Sequence, residues 1–175
     1  MPPAIAHTLG RLRRLVMLDD SVYDELRRDS SATIPAVAVT AIGLLAFGLG
    51  GWLWWFLSDL GDTGSVFLKT VILGTIFGFV AWLGWMLVVY AALRRLAGLT
   101  LQVEQLLRTA GFASGVLVLG LAMVLIPLGF GIGLVVLIAW FGGTQIAIER
   151  TVGRGGSDVL VANLAGFAAW LLVMS

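Results

Sequence analysis

From Ile34 onward the chain is a succession of long apolar runs broken by short polar punctuation. Before it lies one polar segment with a periodic pattern. In residues 1–32, Ile5, Leu9, Leu12, Val16, Tyr23 and Leu26 recur at helical spacing, and Arg11, Arg13, Arg14, Arg27 and Arg28 fall largely between them. Apolar positions three or four apart form one stripe on a helix. The spacing predicts an amphipathic helix broken near Asp19–Asp20, with Ser21 and Asp24 capping its second piece. A helix of this kind tethered to a span lies in the headgroup layer with its arginines toward anionic lipid, or packs on the end of the bundle.

Five apolar runs follow. The first covers 34–57, opened by Thr33 as cap and Pro35 in the first turn, where a missing N–H costs nothing. Trp52, Trp54, Trp55 and Phe56 crowd its far end, as in an interfacial aromatic belt. The second covers 66–93, with Lys69 at its start and Arg94 and Arg95 closing it. The third covers 110–126, preceded by Thr100–Arg108, a second candidate interfacial helix. The fourth covers 132–148, ended by Glu149 and Arg150, and the fifth covers 159–173. Each approaches the roughly 20 apolar residues needed to cross a hydrocarbon core of about 30 Å. The uncharged IPLGFGIG at 126–133 has two readings: a tight turn, or a re-entrant piece lining a cavity. The expected fold is therefore all-α, a polytopic membrane bundle of about five spans behind an amphipathic N-terminal segment.

Composition agrees. Of 175 residues, 59% are hydrophobic and 12% charged, with mean hydropathy +1.02. A soluble domain carries about twice that charge on its surface. Residues 1–15 lack an uninterrupted apolar stretch behind the first charges, so no cleaved signal is expected. Net charge is +1 and there is no cysteine, which leaves no field directed at nucleic acid and no thiol chemistry.

The distribution of basic residues sets a topology. With five spans, Arg11, Arg13, Arg14, Arg27, Arg28, Arg94, Arg95, Arg108, Arg150 and Arg154 share one side, and Lys69 alone lies on the other. The positive-inside rule puts the arginine-rich side in the cytoplasm, with the C-terminus extracytoplasmic. Arginine in such excess over lysine points to a GC-rich genome and a bacterial cytoplasmic membrane.

RLRRLVMLDDSVYDELRRDSSAT before the first span, then LLRTAGFAS, IPLG, Trp140 and Arg150, resemble in order and spacing the Yip-domain family of membrane proteins. The resemblance covers nearly the whole chain and implies five spans with a cytoplasmic N-terminus. It also implies contact with other proteins, since eukaryotic members bind prenylated Rab GTPases. Here a DLYGP-type motif is missing and the polar N-terminal region is short, which argues against Rab binding.

Little in the chain suggests chemistry. His7 is the sole histidine, too few for a multi-histidine metal or haem site. Asp19, Asp20, Asp24, Glu25 and Asp29 lack EF-hand spacing and interleave with arginines, so surface pairing is expected. Lys69, Glu104 and Glu149 fall at span ends, and Asn163 is the most polar group well inside a span, which disfavours ion-coupled transport. No catalytic residue, cofactor or metal is expected. Small-residue pairs carry a better signal: Gly74–Gly78, Gly111–Gly115, Gly129–Gly133 and Ala162–Gly166 have the spacing of helix-packing faces in lipid. The leading expectation is a non-catalytic scaffold that organises or binds other membrane proteins, or itself, in the bilayer. The alternatives are an accessory subunit of a larger complex and a small channel or transporter using the 126–133 break.

Overall fold

The computed structural model describes residues 3–96, 98–99 and 101–175. Helices α1 (Pro3–Val16) and α2 (Ser21–Arg28) form a hairpin, and the 3-10 turn Ser30–Ala32 leads into α3 (Thr33–Leu57). After a loop, α4 (Thr63–Phe67) runs through the π-turn Leu68–Leu73 into α5 (Gly74–Leu96). α6 (Val103–Ala113) continues as a 3-10 helix over Ser114–Val124. A 3-10 turn at Ile126–Leu128 starts α7 (Gly129–Val152), and α8 (Ser157–Met174) ends the chain. No strand occurs among the described residues.

Five stretches are long and apolar enough to cross a membrane: Ser30–Leu57, Thr63–Arg95, Val103–Val124, Ile126–Val152 and Ser157–Met174. The chain is an all-α, multi-pass membrane bundle. Large apolar side chains cover its outside, among them Ile34, Phe130, Ile138 and Leu172, as expected where the solvent is lipid. Inside, Trp82, Trp85, Met86, Trp140, Leu117 and Ala162 are fully buried. The rings of Trp85 and Trp140 meet edge to face at 5.2 Å, as do those of Trp140 and Trp170 at 5.1 Å, the geometry favoured by the ring quadrupole.

Several boundaries differ from expectation. The third span starts at Val103, and its first turns are those assigned above to a second interfacial helix; Thr100 lies outside the described residues. Leu106, Ala110 and Phe112 are buried, so apolar packing draws this stretch into the bundle. The fourth span continues through Glu149 and Arg150 to Val152, where Gly153 at φ 76° ends it, the left-handed conformation glycine adopts freely. Neither expected cap forms. Ahead of α2, the Asp19 carboxylate accepts from the Ser21 N–H at 3.1 Å and the Ser21 hydroxyl at 2.5 Å. Ahead of α3, Asp29 accepts from the Ser31 N–H at 3.0 Å, and Thr33 donates its hydroxyl to the Ser30 carbonyl at 3.2 Å. Asp19 thus serves the first N–H of α2, whereas Asp29 caps the 3-10 turn Ser30–Ala32 that leads into α3, which leaves α3 without a side-chain cap of its own.

The second half of the third span buries Ser114, Leu117, Gly120 and Met123. That is a repeat of three, the period at which 3-10 side chains eclipse. A 3-10 helix rises about 2 Å per residue, so eleven residues cover about 22 Å. The 22-residue span is therefore longer than an α-helix of the same number of residues would be. Ile126–Leu128 then forms a short turn between the third and fourth spans, with Leu125, Pro127 and Leu128 exposed. The turn is confined to Ile126–Leu128, and 129–133 form the first turn of α7.

Candidate functional site

The largest concentration of polar chemistry is where the α1–α2 hairpin meets the bundle. α2 buries Val22, Tyr23 and Leu26 on one face, against Ala32, Ala36, Phe112, Ala113 and Ala147. Its charged face pairs with α1. Arg11 reaches Glu25 at 2.8 Å and Asp29 at 2.6 Å, and Arg14 reaches Asp19 at 2.8 Å and Glu25 at 2.9 Å. Arg150 at the end of α7 pairs with Asp20. The acidic cluster is thereby distributed among arginines. A hydrogen bond from Ser31 and then Arg11 hold the Asp29 carboxyl down at about 2. Arg11 and then Arg14 lower Glu25, and Ser21 and then Arg14 lower Asp19. Burial, helped by Asp20, pushes the Tyr23 phenol up to about 12.

Two further arginines bolt the hairpin down. Arg108 of α6, 6% exposed, donates Nη2 to the Arg27 carbonyl at 3.1 Å, while its Nε is buried without a hydrogen-bond partner. Arg27 in turn donates Nη1 to the Thr151 carbonyl at 3.4 Å. Both acceptors are carbonyls in the last turn of a helix, where partial negative charge collects. Backbone thus stands in for a carboxylate at both arginines.

Of the five arginines expected at a membrane surface, Arg11 and Arg14 are held by carboxylates and Arg27 by a carbonyl. Arg13 and Arg28 are exposed, and no ion pair or hydrogen bond of theirs occurs among the described residues.

Inside the spans several polar side chains are linked in a line, while Trp82 Nε1 and Thr144 Oγ1 are buried with no hydrogen-bond partner among the described residues. Trp85 Nε1 donates to Asn163 Oδ1 at 3.0 Å, Asn163 Nδ2 to Gln145 Oε1 at 2.9 Å, and Gln145 Nε2 to Glu149 Oε1 at 2.8 Å. Trp140 Nε1 donates to the Ser114 hydroxyl at 2.9 Å. These bonds join α5, α7, α8 and the third span, and each satisfies a group that lipid would leave bare. Asn163 thus serves helix packing.

The small-residue pairs separate by environment. A Cβ at Gly166 would stand 2.0 Å from Trp85 Cδ1, and one at Gly111 would stand 2.8 Å from the Ala36 Cβ. Gly115 would meet Leu12 Cδ2 at 2.8 Å and Gly129 Trp54 Cδ1 at 2.2 Å, while Gly133 would meet the Met123 sulfur at 2.8 Å. Ala162 is fully buried. Gly78 is looser, with a Leu44 methyl at 3.4 Å, and its carbonyl accepts from Trp170 Nε1 at 3.1 Å. Gly74 faces the Lys69 carbonyl of its own π-turn at 3.2 Å. The tightest seam was missed in the sequence: a Cβ at Gly43 would lie 2.6 Å from the Ser114 carbonyl, and one at Gly50 would lie 2.0 Å from the Gly120 carbonyl. Its signal is a seven-residue spacing, Ala36–Gly43–Gly50, rather than a GxxxG pair.

No family model matches this chain, and no curated protein or solved structure matches it either.

Proposed function

We propose that this protein is a non-catalytic membrane scaffold, which organises or binds other membrane proteins through the α1–α2 hairpin. The observation that carries the reading is the clamp at the hairpin's base. A short polar segment is fastened by Arg108, Arg27 and Arg150, while Arg28 is exposed, with no side-chain partner among the described residues. An element fixed so firmly yet left with free charge on its outer face suits recognition. The linked groups Trp85, Asn163 and Gln145, and the pair Trp140–Ser114, support the same reading, because they bond one another across helices. The succession of motifs that resembles the Yip domain does so too.

The proposed orientation puts the hairpin in the cytoplasm, since the ten arginines share its side of the bundle and Lys69 lies opposite. The proposed location is a bacterial cytoplasmic membrane. Affinity purification in mild detergent tests the function, comparing the wild type with Arg28→Glu. The side chain is exposed, so the bundle is expected to stay intact while co-purifying membrane proteins fall away. An unchanged set of partners would contradict the reading.

A further inference from the structure

α1 does not lie flush on the bundle. Between it and the outer faces of the first and third spans runs a partly open groove of ≈ 730 Å³ with an almost wholly apolar lining. Leu9, Leu12 and Val16 form its roof, with Ile34, Ile42 and Leu119 among its walls. Such a volume is within the range of about 300–1,000 Å³ typical of sites for small molecules. From Ile34 to Ile42 the wall covers nine residues of α3, eight steps of 1.5 Å or about 12 Å of depth. Leu9 is 51%, Val16 83% and Ile34 82% exposed, apolar surface that water would leave at a cost. The occupant must be apolar, elongated and able to enter from the bilayer.

Charge identifies its head. Arg11 and Arg14 turn away from the groove toward α2, where carboxylates hold them. Arg13 projects from the other flank of α1, four residues after Leu9 and three before Val16, so it neighbours both on the helix surface. It is exposed, with no ion pair among the described residues. Arg13 does not itself line the groove, but it flanks Leu9 and Val16 of the roof, so the charge beside the slot is positive. We infer that the groove beneath α1 binds one anionic phospholipid, an acyl chain lying between α1 and the first and third spans and the phosphate resting on Arg13. A retained lipid also explains how the apolar face of α1 is covered where the bundle does not meet it.

Native mass spectrometry of the full-length protein tests this, with equal phosphatidylglycerol and phosphatidylcholine supplied in the detergent. The wild type should retain a single lipid, phosphatidylglycerol over phosphatidylcholine by about five-fold, the preference expected of one basic residue at the headgroup level. Arg13→Gln should retain a lipid but lose the preference. Ala38→Phe fills the groove from an exposed position and should lose the lipid altogether, with thermal unfolding unchanged. Retention of phosphatidylglycerol by both variants would overturn the proposal. So would loss of preference in Arg13→Gln with full retention in Ala38→Phe, which would place the lipid on the surface charge and outside the groove. A dimer in place of the lipid-bound species would overturn it as well, by making a second copy the occupant.

Discussion

Arg108 and Arg27 are joined by a side chain reaching a backbone: the guanidinium of the first donates to the carbonyl of the second at 3.1 Å, near the end of α2. Arg27 repeats the device one step on, at the Thr151 carbonyl near the end of α7. The hairpin is held to the bundle by helix ends as much as by the apolar face of α2.

Arg108→Ala should therefore loosen the hairpin without unfolding the spans. Hydrogen bonds from charged groups contribute about 1.5–3 kcal/mol each, so amide exchange in α2 should quicken by ten-fold or more. Exchange in α5 and α8 should stay unchanged. Equal quickening in all three helices would show that Arg108 supports the whole bundle and has no special hold on the hairpin.

The ion pairs between α1 and α2 should make the hairpin resistant to acid. A carboxylate whose pKa is depressed in the fold stabilises it above the unfolded value, and that contribution is lost as pH falls toward the folded one. With Glu25 and Asp19 lowered and Asp29 at about 2, the hairpin should stay closed at neutral pH and open only from about pH 4 downward. The chain has no cysteine, so spin labels at Ala6→Cys and Arg28→Cys can report the distance cleanly. Opening between pH 7 and 5 would mean that these pairs do not hold it.

Two buried glycines on the α5–α8 side should respond differently to the same methyl group. In Gly166→Ala the new carbon overlaps the Trp85 ring, a form of overpacking that costs about 1–3 kcal/mol. Gly78→Ala meets the Leu44 methyls and the Met174 methyl at ordinary distances, and should be neutral or stabilising by up to about 1 kcal/mol through helix propensity. Thermal unfolding in detergent micelles measures both. Equal loss at the two positions would contradict the seam described.

The span count and the amphipathic start were legible because lipid imposes a simple code: long apolar runs, with charge kept to the ends. The hairpin's break near Asp19–Asp20 was legible too. The clamp was not. An arginine that donates to a backbone carbonyl leaves no complementary residue in the sequence, and Arg108 reads as one more loop charge. The period of three at Ser114, Leu117, Gly120 and Met123 was also visible, but an apolar run inside a membrane predicts α-helix by default. Gly43 and Gly50 escaped because a pair search looks four residues apart, whereas these face a partner at every second turn.

The proposed topology rests on the distribution of arginines, and fusion reporters test it. A reporter fused after Ser175 should report an extracytoplasmic position, and one inserted between Gly155 and Gly156 a cytoplasmic one. The opposite result at either site would remove the proposed cytoplasmic hairpin.

Photo-crosslinking in intact membranes most directly tests whether the hairpin is the contact with other proteins. A photoreactive residue at Arg28, on the exposed face of α2, is compared with one at Leu172, which is 78% exposed on the apolar surface of α8. The expected result is a small set of reproducible protein adducts from Arg28 and lipid adducts from Leu172. Protein adducts from Leu172 with none from Arg28 would contradict the proposed role and move the contact into the spans.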